Sequence, residues 1–134
     1  MHPSAQRAAA IVGVAAAVAL AAWAVARLLG VDLDVRVNGD LRQVGPADVL
    51  VTTVVAGLAA WVAYSVLARS RRAERWWPFL ASTALAISML GPSYLADGVD
   101  AVVLMAIHLL VGATLIGGFA SAQALTGRVR APGR

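Results

Sequence analysis

The sequence predicts an all-α fold, an integral membrane four-helix up-down-up-down bundle with a short external β-hairpin between helices 1 and 2. Three observations carry that expectation. Four long apolar segments fill most of a 134-residue chain that is 60% hydrophobic. Charged residues make up 13%, where soluble domains carry about 25%. The charges that remain gather between the apolar segments, and their sign alternates from one loop to the next. A soluble domain of this length would not need four uninterrupted apolar stretches to fill one modest core. The segments leave room for a single membrane domain over 1–134 and no second folded unit.

The first span is expected at about 8–29, interrupted only by Arg27 near its end. Some 22 residues at 1.5 Å each reach about 33 Å, enough for a hydrocarbon core of about 30 Å. Arg7, the apolar run and the small residues Ala22, Ala24 and Ala26 also resemble a cleaved signal peptide. The run is too long for a usual signal-peptide core, and cleavage would leave the second span starting outside, so an uncut helix is expected.

The external loop 30–47 reads V-D-L-D-V-R-V from Val31, then Asn38–Gly39, then D-L-R-Q-V. Strict alternation followed by Asn-Gly is a hairpin signal. It sets Val37 opposite Asp40, Val35 opposite Arg42 and Leu33 opposite Val44. Val31, Leu33, Val35 and Val37 then form an apolar face that needs cover, and the outer mouth of the bundle is the nearest. An isolated two-stranded hairpin is marginal in water. A plain capping loop and a lid over a ligand or partner both fit.

The second span is expected at 48–68, with Asp48 as N-cap after Pro46. The third is expected at 77–95 where Pro92 only kinks it, and to about Leu90 otherwise, with Pro78 in its first turn and Trp76–Trp77 at the interface. The fourth is expected at 100–122, extending to Leu125, before a cytoplasmic tail at 126–134. Arg69 to Arg75 and Ala96 to Val99 are tight connectors, so consecutive helices should be antiparallel neighbours.

Orientation follows from the arginines. Arg7, Arg69, Arg71, Arg72, Arg75, Arg128, Arg130 and Arg134 share one side with Glu74. Arg27, Arg36 and Arg42 share the other with Asp32, Asp34, Asp40, Asp48, Asp97 and Asp100. By the positive-inside rule both termini face the cytoplasm, in the cell (inner) membrane. The same placement explains the net charge of +4 and the pI of about 11.1: the basic residues flank apolar segments, so no nucleic acid is expected. The lipid bilayer is the expected partner, with a second membrane protein or another copy of the chain as further candidates. All basic side chains besides histidine are arginine, which suits a GC-rich source. Cysteine is absent, which excludes thiolate metal sites, iron–sulfur clusters and thiol redox chemistry.

Ionisable groups at depth are costly and mark function by default. His108 is the deepest, some 12 Å below the external end of the fourth span. It suits proton transfer, solute contact or metal ligation. It suits equally a structural imidazole bonded to a hydroxyl of Ser82, Thr83, Ser88, Thr52, Thr53 or Tyr64. Haem ligation by two histidines of one subunit is excluded, because the other histidine is His2, while a His108 pair across a dimer stays open. Arg27 is expected to snorkel outward and lock the rim through Asp48, Asp97 or Asp100, with an anion-attracting role at a pore mouth as the alternative. Ala113, Gly117 and Ser121, with Gly118 and Ala122 one position round, and Gly13, Ala17 and Ala21, form small-residue stripes suited to close helix approach. Trp23, Trp61 and the Met89/Met105 pair are read as packing or interfacial residues. No phosphate loop, H-E-x-x-H, paired intramembrane carboxylate or Ser/His/Asp set is present, so no catalytic residue, metal site or cofactor is expected and the protein is read as non-enzymatic.

Several small four-helix families fail on particular residues. The small multidrug exporters need a glutamate in the first helix, which this chain lacks. Fluoride channels insert both ways with little charge bias, and the thiol-redox enzymes need cysteines. Four stretches carry a positive resemblance: G-V-D-L-D-V-R-V from Gly30 to Val37, V-G-P from Val44 to Pro46, L-G-P from Leu90 to Pro92, and H-L-L-V-G-A-T-L-I from His108 to Ile116. Together they resemble a family of four-helix membrane proteins of actinobacteria, known as a domain of unknown function. The resemblance implies fold and location, and no catalytic residue. The leading expectation is a membrane protein acting through helix packing or partner contacts. The alternative is a small-solute or ion permeation unit working as a homo-oligomer, with His108 along its path.

Overall fold

The computed structural model describes residues 4–69 and 73–128. Arg71, Arg72, Arg130, Arg134 and His2, which figure in the reading above, lie outside the described residues. The elements are α1 (Ala5–Leu28), β1 (Asp34–Val37), β2 (Asp40–Gln43), α2 (Pro46–Leu67), α3 (Ala73–Ser88), α4 (Leu90–Leu95) and α5 (Gly98–Arg128). Four stretches, α1, α2, Arg75–Leu95 and Gly98–Ser121, are helical and apolar enough to cross a membrane. That fits a multi-pass membrane protein.

Local chemistry sets the boundaries. The Ser4 hydroxyl accepts from the Arg7 N–H and caps α1, as an N-cap serine should. Asp48 is not the N-cap of α2. Gly45 holds that position, Pro46 follows at the first helical residue, and Asp48, one turn in, accepts from the Gly45 N–H at 3.0 Å. Proline fits there because its missing N–H would have had no helical partner.

The third span is not one helix from 77 to 95. It begins at Ala73, so Pro78 sits inside α3 rather than in its first turn, and it breaks at Met89. Pro92 has no N–H to offer the Ser88 carbonyl and its ring crowds that oxygen, which stops α3 and leaves α4 to start afresh. The last helix runs on to Arg128, so its 31 residues extend about 46 Å, well beyond a hydrocarbon core.

The hairpin forms in the expected register, with Val37 opposite Asp40 and Val35 opposite Arg42. Asn38 and Gly39 both have positive φ, 54° and 93°, as a tight turn between twisted strands requires. The ladder ends at Asp34 and Gln43. Leu33 lies just outside it and bonds Val44 through Val44 N–H to Leu33 carbonyl, 3.0 Å. The apolar face of the first strand is only partly covered: Leu33 is wholly buried, Val35 is half-buried and Val37 is exposed.

Packing is uneven. α1 packs against both α2 and α5, and α3 packs mainly on α5, while α2 and α3 share a much shorter seam. The core lies toward the end opposite the hairpin. There Trp77, Tyr64 and Phe119 form an aromatic cluster, with ring centroids 5.0 Å apart for Tyr64–Trp77, 5.5 Å for Tyr64–Phe119 and 5.8 Å for Trp77–Phe119. Ala8, Ala15 and Leu115 complete it. The tryptophan pair is therefore split: Trp76 is exposed, as an interfacial residue would be, and Trp77 is a core residue.

The small-residue stripes named above face outward except at Gly118, which meets α1. Gly13, Ala17, Ala21, Ala113, Gly117 and Ser121 are exposed. Close approach occurs at Gly57 against Val12, Gly112 against Leu85, and Gly118 against Ile11, where an added Cβ would lie 2.6, 2.5 and 2.7 Å from the neighbouring side chain. α1 instead buries Ala8, Ala15, Ala19 and Ala26.

Candidate functional site

The short seam between α2 and α3 leaves a cavity of about 760 Å³, within the range of about 300–1,000 Å³ typical of small-molecule sites. Its walls are α2 from Asp48 to Ala63, α3 from Trp77 to Ser88, α4 with Gly91, Pro92 and Leu95, and α5 from Leu104 to Ile116, and the hairpin roofs it with Val35, Val37, Arg42 and Gln43. The α2 wall is about 22 Å long and the α5 wall about 18 Å, at 1.5 Å per residue. Trp77, part of the aromatic cluster, closes the far end. Several wall residues, Ala56, Ala63, Leu80 and Ala84 among them, are exposed, so the cavity is a half-open slot rather than a sealed void.

Polarity falls from the hairpin inward. At the mouth, Arg42 donates to Asp48 at 2.8 Å, and both side chains line the slot. Thr52 and Thr53 follow one turn down α2, about 6 Å further in. His108 lies about 12 Å in from Asp100 along α5. Beyond these levels the walls are alanine, leucine, valine, isoleucine and glycine as far as Trp77.

His108 is half-buried and faces this slot. Among the described residues it makes no hydrogen bond and no ion pair. Two hydroxyls considered as its partners bond within their own helix: Thr83 to the Phe79 carbonyl at 2.8 Å and Ser88 to the Leu85 carbonyl at 2.7 Å. The Thr52 and Thr53 hydroxyls likewise make no hydrogen bond among the described residues. Three side chains with free hydrogen-bonding capacity thus line one cavity, in surroundings where an unmet polar group is costly.

Arg27 does not lock the rim through Asp48, Asp97 or Asp100. It pairs with Asp32, 3.0 Å away and five residues on, and also donates to the Asp32 carbonyl at 3.2 Å. A partner in the adjoining loop is reached before any on another helix, and Asp48 is already held by Arg42. Asp100 accepts from the Asp34 N–H at 3.4 Å and so fastens β1 to the start of α5. Asp97 is exposed. Asp48 and Asp100 therefore hold the roof in place, and of the three rim residues Asp48 lines the slot.

Sequence reasoning singled out His108 and Asp48 but missed Arg42 as a mouth residue and Trp23 as a strut. The Trp23 indole donates to the Val44 carbonyl at 2.9 Å and ties α1 to the entry of α2. The available signal for Arg42 was its nearness in sequence, six residues before Asp48. Among the described residues no group of three His, Cys, Asp or Glu side chains is placed to hold a metal ion.

Residues 1–124 match a family described as a family of unknown function (DUF6069). This agrees with the expected domain of unknown function and carries no information on the source of the chain. No curated protein and no solved structure matches it.

Proposed function

The chain belongs to the DUF6069 family of unknown function, and from that premise we propose a non-enzymatic membrane protein that binds an amphiphile in the slot between α2, α3 and α5. It works through contacts made inside the bilayer. The helices alternate up and down, with both termini on the cytoplasmic side and the hairpin outside. The arginine asymmetry supports that orientation. Retention of α1 is supported by its packing against both α2 and α5.

One observation carries the binding reading: the graded polarity of the slot, from the Arg42–Asp48 pair through Thr52, Thr53 and the unpartnered His108 to a purely apolar floor. An amphiphile has the same sequence of parts. Its charged head matches the mouth, its hydrogen-bonding atoms match the hydroxyls and imidazole, and its chain matches the alanine-rich depth. The exposed α2 and α3 walls offer entry from the bilayer. The permeation alternative has His108 on the wall in its favour. Against it, Trp77, Tyr64 and Phe119 pack across the far end, where a permeation path would have to continue.

Adding lipid back to delipidated protein tests the reading. Anything bound by the folded state alone stabilises it by mass action, so total polar membrane lipids should raise the thermal midpoint of the wild type by several degrees. Ala56→Phe, which fills the slot, should remove that gain. A wild type that gains nothing, or a filled variant that gains as much, would end the proposal.

A further inference from the structure

We infer that the slot holds one phospholipid of the hairpin-side leaflet and selects a zwitterionic, ammonium-bearing headgroup over an anionic one. The inference rests on the binding reading above and adds the identity of the guest.

Length comes first. A lipid chain reaches from the headgroup level to the bilayer midplane, about 15 Å. The slot walls of about 18–22 Å take such a chain together with the ester region above it. A guest from the hairpin-side leaflet fits best, because the polar lining lies at the hairpin end and Trp77, packed with Tyr64 and Phe119, walls the far end. The Thr52 and Thr53 hydroxyls, one turn below the mouth, stand at the level of the ester oxygens and are free to donate to them. Below them the small side chains of Ala56, Ala60 and Ala84 leave the width that a chain needs.

Charge selects the head. Arg42, with its side chain 66% exposed, offers a guanidinium to a phosphate in the bidentate manner that arginine favours. Its surroundings are acidic: the hairpin end carries six aspartates, Asp32, Asp34, Asp40, Asp48, Asp97 and Asp100, against three arginines. An anionic head would meet Arg42 and then be repelled by the remaining carboxylates. An ammonium beside the phosphate reverses that term, with Asp48 2.8 Å from the guanidinium already placed to receive it. Such charges act within a Debye length of about 10 Å, the scale of one headgroup.

Native mass spectrometry of the full chain, released from vesicles of equal phosphatidylethanolamine and phosphatidylglycerol, tests this. One phosphatidylethanolamine should be retained per chain, favoured about fivefold, the upper end of what an exposed charge pair supplies. Asp48→Asn, which keeps an oxygen for the Gly45 N–H and removes the charge, should bring retention of phosphatidylethanolamine down toward that of phosphatidylglycerol, whereas Arg42→Gln should lower retention of both. Ala56→Phe should abolish retention of either, with Ala84→Leu on the facing wall as a second filled variant should the first fail to fold. Equal or greater retention of phosphatidylglycerol, or an unchanged preference in Asp48→Asn, overturns the headgroup inference. If filling the slot displaces a lipid that shows no headgroup preference, only this inference fails. If filling the slot displaces nothing, the binding reading falls with it.

Discussion

Leu33 shows how a single residue can be held against its own preference. Its φ of 56° lies in the left-handed region, which costs an L side chain about 1–2 kcal/mol. Its side chain is wholly buried, and burying a leucine contributes about 1.5–3 kcal/mol. With the Val44–Leu33 hydrogen bond added, burial wins. Leu33→Ala should therefore cost about 2–3 kcal/mol, since alanine keeps the strained φ and loses the contacts. Leu33→Gly should recover about 1 kcal/mol of that loss, because glycine adopts positive φ freely. Detergent-titrated unfolding of the two variants checks the order, and a glycine variant less stable than the alanine one would refute it. The Arg27–Asp32 pair is a contrast. With side chains 34% and 70% exposed, it fixes the loop's exit from α1 and contributes little stability.

At the scale of elements, three glycines decide where helices touch, and their neighbours differ in how easily they yield. At Gly57 an added Cβ meets Val12, a β-branched side chain held between α1 and α2 and stiff at χ1. At Gly112 it meets the flexible end of Leu85, which lines the slot and has space to turn into. Gly→Ala in a helix gains about 1 kcal/mol of propensity, while overpacking costs about 1–3 kcal/mol. Gly57→Ala should be destabilising by about 1–2 kcal/mol and Gly112→Ala near neutral. Unfolding midpoints of equal loss at both sites would contradict the argument. The third span repeats the lesson at Pro92, whose effect on the Ser88 carbonyl divides one apolar run into α3 and α4. Apolar length alone reads that span as one helix, and a proline four residues ahead gives the reason it is built from two.

For the whole molecule, the proposed orientation places the hairpin outside and the α1 start inside. The chain contains no cysteine, so single-cysteine variants give a clean readout. Asn38→Cys should react with a membrane-impermeant maleimide in intact cells, and Ser4→Cys only after permeabilisation. The reverse labelling would invert the topology and place the slot mouth in the other leaflet. The open α2–α3 seam belongs to this scale as well. α1 serves as the common support of α2 and α5, and α3 leans on α5, so the gap is a property of the assembly and of no single helix.

The sequence by itself determined the four apolar spans, the hairpin and its register, and the polarity of each end. These depend on local quantities: the length of an apolar run, an Asn-Gly turn, and the sign of charges in short loops. It also marked His108 as the deep polar group. Tertiary structure alone decided that Gly57 and Gly112 are contact glycines, and that of the stripe glycines Gly118 meets a neighbour while Gly13 and Gly117 face outward. It decided that Trp77 is core and Trp76 is not, and that Arg42 rather than Arg27 holds Asp48. In an alanine-rich helix nearly every face is apolar and small, so composition does not say which face meets a neighbour. That choice is made by how side chains from distant segments fit together, and the slot exists only as what that fit leaves open.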